Sequence, residues 1–269
     1  MKWTFLLILI FSFSIGYGQN EIQKLKPEET EVWSPVPPIV MPGSCGQPSS
    51  DAIILFDGSH LDAWCTPTHP DDPGELKDVL ANARTASVKG DRVSAPWHLV
   101  DGEIEVVPGK GAMESKQSFG SIQMHIEWMP PVDAGKKGQD YSNSGIFLMG
   151  LYELQILNSY ANETYSNGMA SAVYKQHIPL VNAANPPGNW QSYDIIFDAP
   201  QFGTDGELIK PAYLTVFWNG VLVQNHVELK GPTLYIGKPG YFGHSQKLPI
   251  RLQDHGNKVR YRNIWVREL

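Results

Sequence analysis

The sequence predicts an all-β protein, a two-sheet antiparallel jelly-roll sandwich, and three observations carry that prediction. From Asp51 onward, short runs rich in Val, Ile, Phe, Tyr and Trp are divided by clusters of Gly, Asn, Asp and Pro. Several runs alternate apolar and polar residues, the period of a strand that buries one face. Trp218-Asn219-Gly220-Val221 places an Asn-Gly pair between two such runs, the signature of a type I′ hairpin turn.

The expected strands are Ala52–Phe56, Glu103–Val107, Ser121–Trp128, Ser144–Met149, Tyr152–Leu157, Gln191–Phe197, Ala212–Trp218, Val221–His226, Ile250–Gln253 and Arg260–Arg267. Only Glu75–Ala86 reads as helical. Many short strands with little helix bury their apolar faces by stacking two antiparallel sheets. Residues 51–269 therefore read as one sandwich domain, a length usual for a single all-β unit.

Two segments precede it. Lys2, the apolar run Trp3–Ser14 and the small residues Gly16 and Gly18 have the layout of a secretory signal peptide over residues 1–18. The run is too short to span a bilayer. Residues 19–50, rich in Pro, Ser and Glu, read as an extended arm. A periplasmic or secreted, not membrane-spanning protein is the expectation. In such a compartment Cys45 and Cys65 could pair and tie the arm to the domain, or stand as two separate thiols.

A net charge of −7 argues against nucleic acid as a partner. Neutral glycans carry no charge to repel. No phosphate-binding loop, dinucleotide fingerprint, nucleophile elbow or zinc-type spacing occurs, so no organic cofactor is expected.

Alternation then nominates a working face. In Leu151–Leu157, Tyr152, Leu154 and Ile156 face the core, and Glu153 and Gln155 project from the other side. In Ile250–His255, Leu252 points inward while Arg251, Gln253 and His255 project together. In Ser121–Trp128, Gln123, His125 and Glu127 point outward. Outward polar residues on an antiparallel sheet are ordinarily just solvated. A face of Glu, Gln, Arg and His from several strands is nevertheless what a sugar groove requires, because hydroxyls need both donors and acceptors. His177 and His244 fall in expected loops, where function concentrates.

Leu55-Phe56-Asp57-Gly58 with Leu61-Asp62-Ala63-Trp64, Val100-Asp101-Gly102-Glu103-Ile104, Asn143-Ser144-Gly145-Ile146-Phe147, Tyr152-Glu153-Leu154-Gln155-Ile156-Leu157, Pro187-Gly188-Asn189-Trp190 and Leu252-Gln253-Asp254-His255-Gly256 occur in order along the domain. This series resembles the 3-keto-disaccharide hydrolase family, over about Asp51 to Leu269. The resemblance implies a concanavalin A-like jelly roll. It also implies action on glycosides that a partner oxidoreductase has already oxidised to a ketone at C3. Such a ketone acidifies the C2 hydrogen, so a base can start elimination of the C1 leaving group, and water then adds back. That chemistry needs a base beside C2, a donor at the ketone and an acid for the leaving oxygen.

On the resemblance, Glu153 and His255 are the catalytic candidates. Asn143, Gln155, Gln176, Arg251, Gln253, His125 and His177 are the candidates for holding substrate. A divalent metal could serve as the electrophile, and spacing neither supports nor opposes it. Where similar sequences tend to read Tyr-Gly-Gln, this chain has Tyr174-Lys175-Gln176, which implies altered specificity. Two other readings stay open. One is a non-catalytic, lectin-like module on the same fold. The other is a conventional retaining glucanase, which expects a second carboxylate close to Glu153, whereas 151 and 155 are Leu and Gln.

Overall fold

Strand formation follows the alternation closely, because each apolar set has one core to enter. The computed structural model describes residues 26–44, 46–67, 93–133 and 135–269. Within them lie β1 (Ile53–Phe56), β2 (Trp64–Cys65), β3 (His98–Val100), β4 (Glu103–Glu105) and β5 (Met113–Phe119). Next come β6 (Ile122–Met129), β7 (Ser144–Leu148), β8 (Tyr152–Ile156), β9 (Gln191–Asp198) and β10 (Gln201–Phe202). The chain ends with β11 (Leu208–Lys210), β12 (Tyr213–Trp218), β13 (Val221–Glu228), β14 (Leu248–Leu252) and β15 (Arg260–Glu268).

Eight strands form one antiparallel sheet, ordered β13-β12-β9-β6-β15-β4-β3, with β1 also on β15. Five form the second, ordered β2-β5-β14-β7-β8. The pair β10–β11 stands apart. The two large sheets pack as a sandwich of jelly-roll type. Their inner faces meet in one core that includes Met124, Ile126 and Ile195 from the first sheet and Ile146, Leu154 and Ile250 from the second. Trp128 is packed against Tyr193 at 5.4 Å and Trp218 at 6.4 Å between ring centroids.

All ten expected strands are present, with ends moved by a few residues. The hairpin at Asn219-Gly220 has both residues at positive φ, 51° and 78°, as a type I′ turn requires. Five strands were not expected. β5 (MESKQSF) hides from alternation because Glu114 and Ser115 are buried in it beside Met113. β2, β3, β10 and β11 are two or three residues long.

The expected signal peptide and the expected helix over Glu75–Ala86 lie outside the described residues. So does Cys45, and with it the pairing to Cys65, whose buried Sγ lies 3.6 Å from the Glu114 carbonyl oxygen. The described residues up to Ile39 form a separate unit from the one beginning at Val40. Among the described residues no helix is long and apolar enough to cross a membrane.

Candidate active site

Register across the five-stranded sheet builds the working face. Arg251 on β14 is paired with Phe147 on β7, and Phe147 with Glu153 on β8. Directly opposed residues share a face, so these three side chains point the same way. In the next row the Gln253 amide donates to the Gly145 carbonyl at 3.0 Å, and Gly145 is paired with Gln155. The two rows place Glu153, Gln155 and Gln253 side by side on the outer face of this sheet.

A recess of about 630 Å³ opens over them. Its lining includes Glu153, Gln155, Gln253, His255 and Asn143. The loops add Gln139, Asp140, Tyr165, Tyr174, Thr233, Tyr235 and Ile236. Glu153 is 5% exposed, and burial pushes its carboxyl from an ordinary 4.5 up to about 8. Withdrawal from water disfavours the charged form. Its backbone amide donates to Thr233 Oγ1 at 3.0 Å, which locks the strand beneath the carboxyl.

Gly145 makes room for that carboxyl. A Cβ there would stand 2.7 Å from Glu153 Oε1 and 3.0 Å from the Phe147 ring. The Gln155 side chain lies between two sets of acceptors. With its nitrogen toward Glu153 it donates to Glu153 Oε1 at 3.0 Å and to the Ser144 carbonyl at 3.1 Å. Turned over, the nitrogen donates to Gln139 Oε1 at 3.3 Å, and its oxygen can accept only from a protonated Glu153. The first orientation suits an ionised carboxylate. Asn143 Nδ2 donates to the Gln139 carbonyl at 2.8 Å. Gln253 Oε1 is buried with no hydrogen-bond partner among the described residues.

Four expected substrate residues stand elsewhere. Arg251 shares the face of Glu153, but Phe147 lies between them and its guanidinium is 3.6 Å from the buried carboxylate of Glu114. It does not line the recess. His125 points outward from the other sheet, where its Nδ1 lies 2.6 Å from Asp194 Oδ1 and its ring stacks on Trp265. Alternation marks a residue as outward without saying from which sheet. His177 Nε2 donates to the Glu228 carbonyl at 2.7 Å. Gln176 spans two backbone groups, donating to the Gly231 carbonyl at 2.9 Å and accepting from the Lys230 amide at 2.7 Å. It holds the loop that carries Tyr235 and Ile236.

The recess also contains groups that sequence reasoning missed. Asp140 is exposed and lines it. Tyr165 and Tyr174 join hydroxyl to hydroxyl at 2.7 Å. No periodic pattern announces these residues, because Asp140 belongs to a three-residue 3₁₀ turn, Gly138–Asp140, and Tyr165 and Tyr174 to irregular chain. Among the described residues, no three or more His, Cys, Asp or Glu side chains are grouped so as to hold a metal ion.

Residues 51–267 match the 3-keto-alpha-glucoside-1,2-lyase-like domain. A crystal structure of a candidate glycosyl hydrolase from Parabacteroides distasonis is similar over 91% of this chain and 97% of its own, at 42% identity and TM-score 0.77. A second candidate glycosyl hydrolase from the same organism shares the fold, at 17% identity and TM-score 0.52 over 81% of this chain and 94% of its own. No curated protein matches the chain. The domain match spans most of the sequence and coincides with the sandwich that bears the recess, so the chain belongs to the 3-keto-alpha-glucoside-1,2-lyase-like family, a glycosyl hydrolase/lyase-like group of carbohydrate-active proteins.

Proposed function

We propose that the protein cleaves glycosides bearing a ketone at C3, by elimination followed by hydration, with Glu153 as the base. The observation that carries this reading is a single buried carboxyl, raised to about 8, on the floor of a recess walled by amides. A carboxylate of raised pKa is a stronger base than an ordinary one, and remains partly ionised near neutral pH. Glu153 would take the C2 proton of the keto sugar. The electron pair then delocalises toward the C3 oxygen and returns to expel the C1 oxygen, leaving a C1–C2 double bond conjugated with the ketone. Water adds at C1, C2 regains a proton, and the sum is hydrolysis.

His255 at the recess mouth is suited to protonate the leaving oxygen. The Gln155, Gln253 and Asn143 amides are suited to hold hydroxyls and the ketone. The ketone must be installed beforehand, so an oxidoreductase acting on C3 precedes this protein. The N-terminal sequence supports export, and we place the reaction in the periplasm or outside the cell.

The test compares a 3-keto-glucoside with its unoxidised parent in deuterated water. Release of the alcohol from the keto substrate alone, with deuterium appearing at C2, is expected. Equal cleavage of the parent would overturn the elimination. A second reading is favoured by one observation: Asp140 brings another carboxylate to the same recess, as a conventional two-carboxylate glycosidase requires. That reading expects Asp140→Asn to abolish cleavage of the unoxidised glycoside.

A further inference from the structure

Lys175 holds a backbone conformation that costs a side chain energy, with φ at 58°. Its ammonium reaches across to the loop that begins at Gly231. It donates to the Tyr235 carbonyl at 2.5 Å and sits 4.2 Å from the Tyr235 ring centroid. On its other side it lies 5.5 Å from the Tyr174 ring and 5.9 Å from the Tyr165 ring. A cation among three aromatic faces is held by their quadrupoles. All three rings line the recess above Glu153.

The loop itself is closed at its neck. A Cβ at Gly231 would meet the Gly240 backbone at 2.6 Å, so the two ends pass in direct contact. Gln176 holds Gly231 and Lys230, and the Thr233 amide donates to the Leu151 carbonyl at 2.9 Å. Yet the tip of this anchored loop presents Tyr235 at 67% exposure and Ile236 at 81%. An apolar pair fixed in water at the mouth of a polar recess has a face to offer a ligand. The recess floor carries the polar groups suited to the reacting sugar, so the lip meets whatever is joined to it.

We propose that Lys175 is a positioning residue for specificity: it clamps the 231–240 loop so that Tyr235 and Ile236 form a rigid lip that binds the departing half of the substrate. The preferred departing group is one with a flat apolar face, an aromatic ring or the C–H face of a second sugar. This rests on the recess being the active site. A stacked ring gains about 0.5–1.5 kcal/mol beyond its burial, a several-fold effect on binding.

The test uses 3-keto-glucosides of methanol and of 2-phenylethanol, leaving alcohols of similar acidity, as both anomers. The wild type should show a KM several-fold lower for the phenylethyl compound, with similar kcat. Tyr235→Ala should remove that preference. Lys175→Gly suits the positive φ and should fold, keep kcat on the methyl compound, and lose most of the preference. Lys175→Arg should restore it, since a guanidinium also binds aromatic faces. Full preference retained in Lys175→Gly or Tyr235→Ala overturns the proposal. Should the methyl keto-glucoside not be turned over at all, the active-site reading fails separately. Calorimetric binding of methyl and 2-phenylethyl glucoside to wild type and Lys175→Gly then decides the lip by itself: a phenylethyl advantage that the variant lacks supports it, and equal affinities overturn it.

Discussion

Gly145 on β7 and Glu153 on β8 are diagonal neighbours on one face of the sheet, and the carboxyl of Glu153 occupies the space that a side chain at 145 would need. The glycine has ordinary backbone angles, so it serves by its lack of bulk. A methyl group 2.7 Å from Glu153 Oε1 and 3.0 Å from the Phe147 ring must displace the carboxyl, the far end of the more flexible of the two side chains.

Gly145→Ala is therefore expected to damage activity more than stability. Overpacking of this kind costs about 1–3 kcal/mol, whereas moving a catalytic group by about an ångström can cost on the order of 10²-fold in rate. Urea unfolding and turnover of a 3-keto-glucoside measure the two effects. Full activity in this variant would remove Glu153 from the reaction.

The fold and the floor of this site were legible for the same reason. Tyr152-Glu153-Leu154-Gln155-Ile156 alternates cleanly, so one set enters the core and the other must project together. Gln253 and His255 follow from the same rule on the strand that ends at Leu252. The walls were not legible. Tyr165, Tyr174 and Tyr235 come from irregular segments whose meeting depends on hydrogen bonds such as those of Gln176, which no period encodes. His125 exposes the other limit, since alternation separates inward from outward but both sheets have an outward face. β5 escaped because a buried Glu114 broke its pattern.

The placement of His125 yields a prediction of little change. His125→Ala should leave turnover within about twofold. It should cost stability by roughly 1–2 kcal/mol, through the lost bond to Asp194 and packing on Trp265. Turnover and thermal unfolding of the variant check both halves. A large fall in turnover at unchanged stability would show that the outer face of the eight-stranded sheet takes part in the reaction.

If Glu153 removes the proton, its ionised form is the active one, and the free protein's pKa of about 8 governs kcat/KM. The rate should rise with pH on the acid side and level off above about 8. Glu153→Gln should lose on the order of 10²–10⁴-fold, the usual contribution of a positioned base. A profile that falls through pH 8 would instead make Glu153 the acid that protonates the leaving oxygen.

The same burial makes stability depend on pH, with a definite sign. The folded pKa of about 8 lies above the ordinary 4.5, so between these values the native state holds a proton that the unfolded chain has released. The stabilisation is fully present below pH 4.5 and is lost as pH rises through 8. Over that gap it amounts to on the order of 5 kcal/mol. Glu153→Gln keeps the shape and the neutral charge at every pH. Its thermal midpoint should match the wild type near pH 4.5 and exceed it above pH 8. Parallel melting curves at pH 5 and pH 9 measure this. An equal loss of stability in both proteins would mean that the carboxyl is better solvated than its position beneath Gly145 and Phe147 allows.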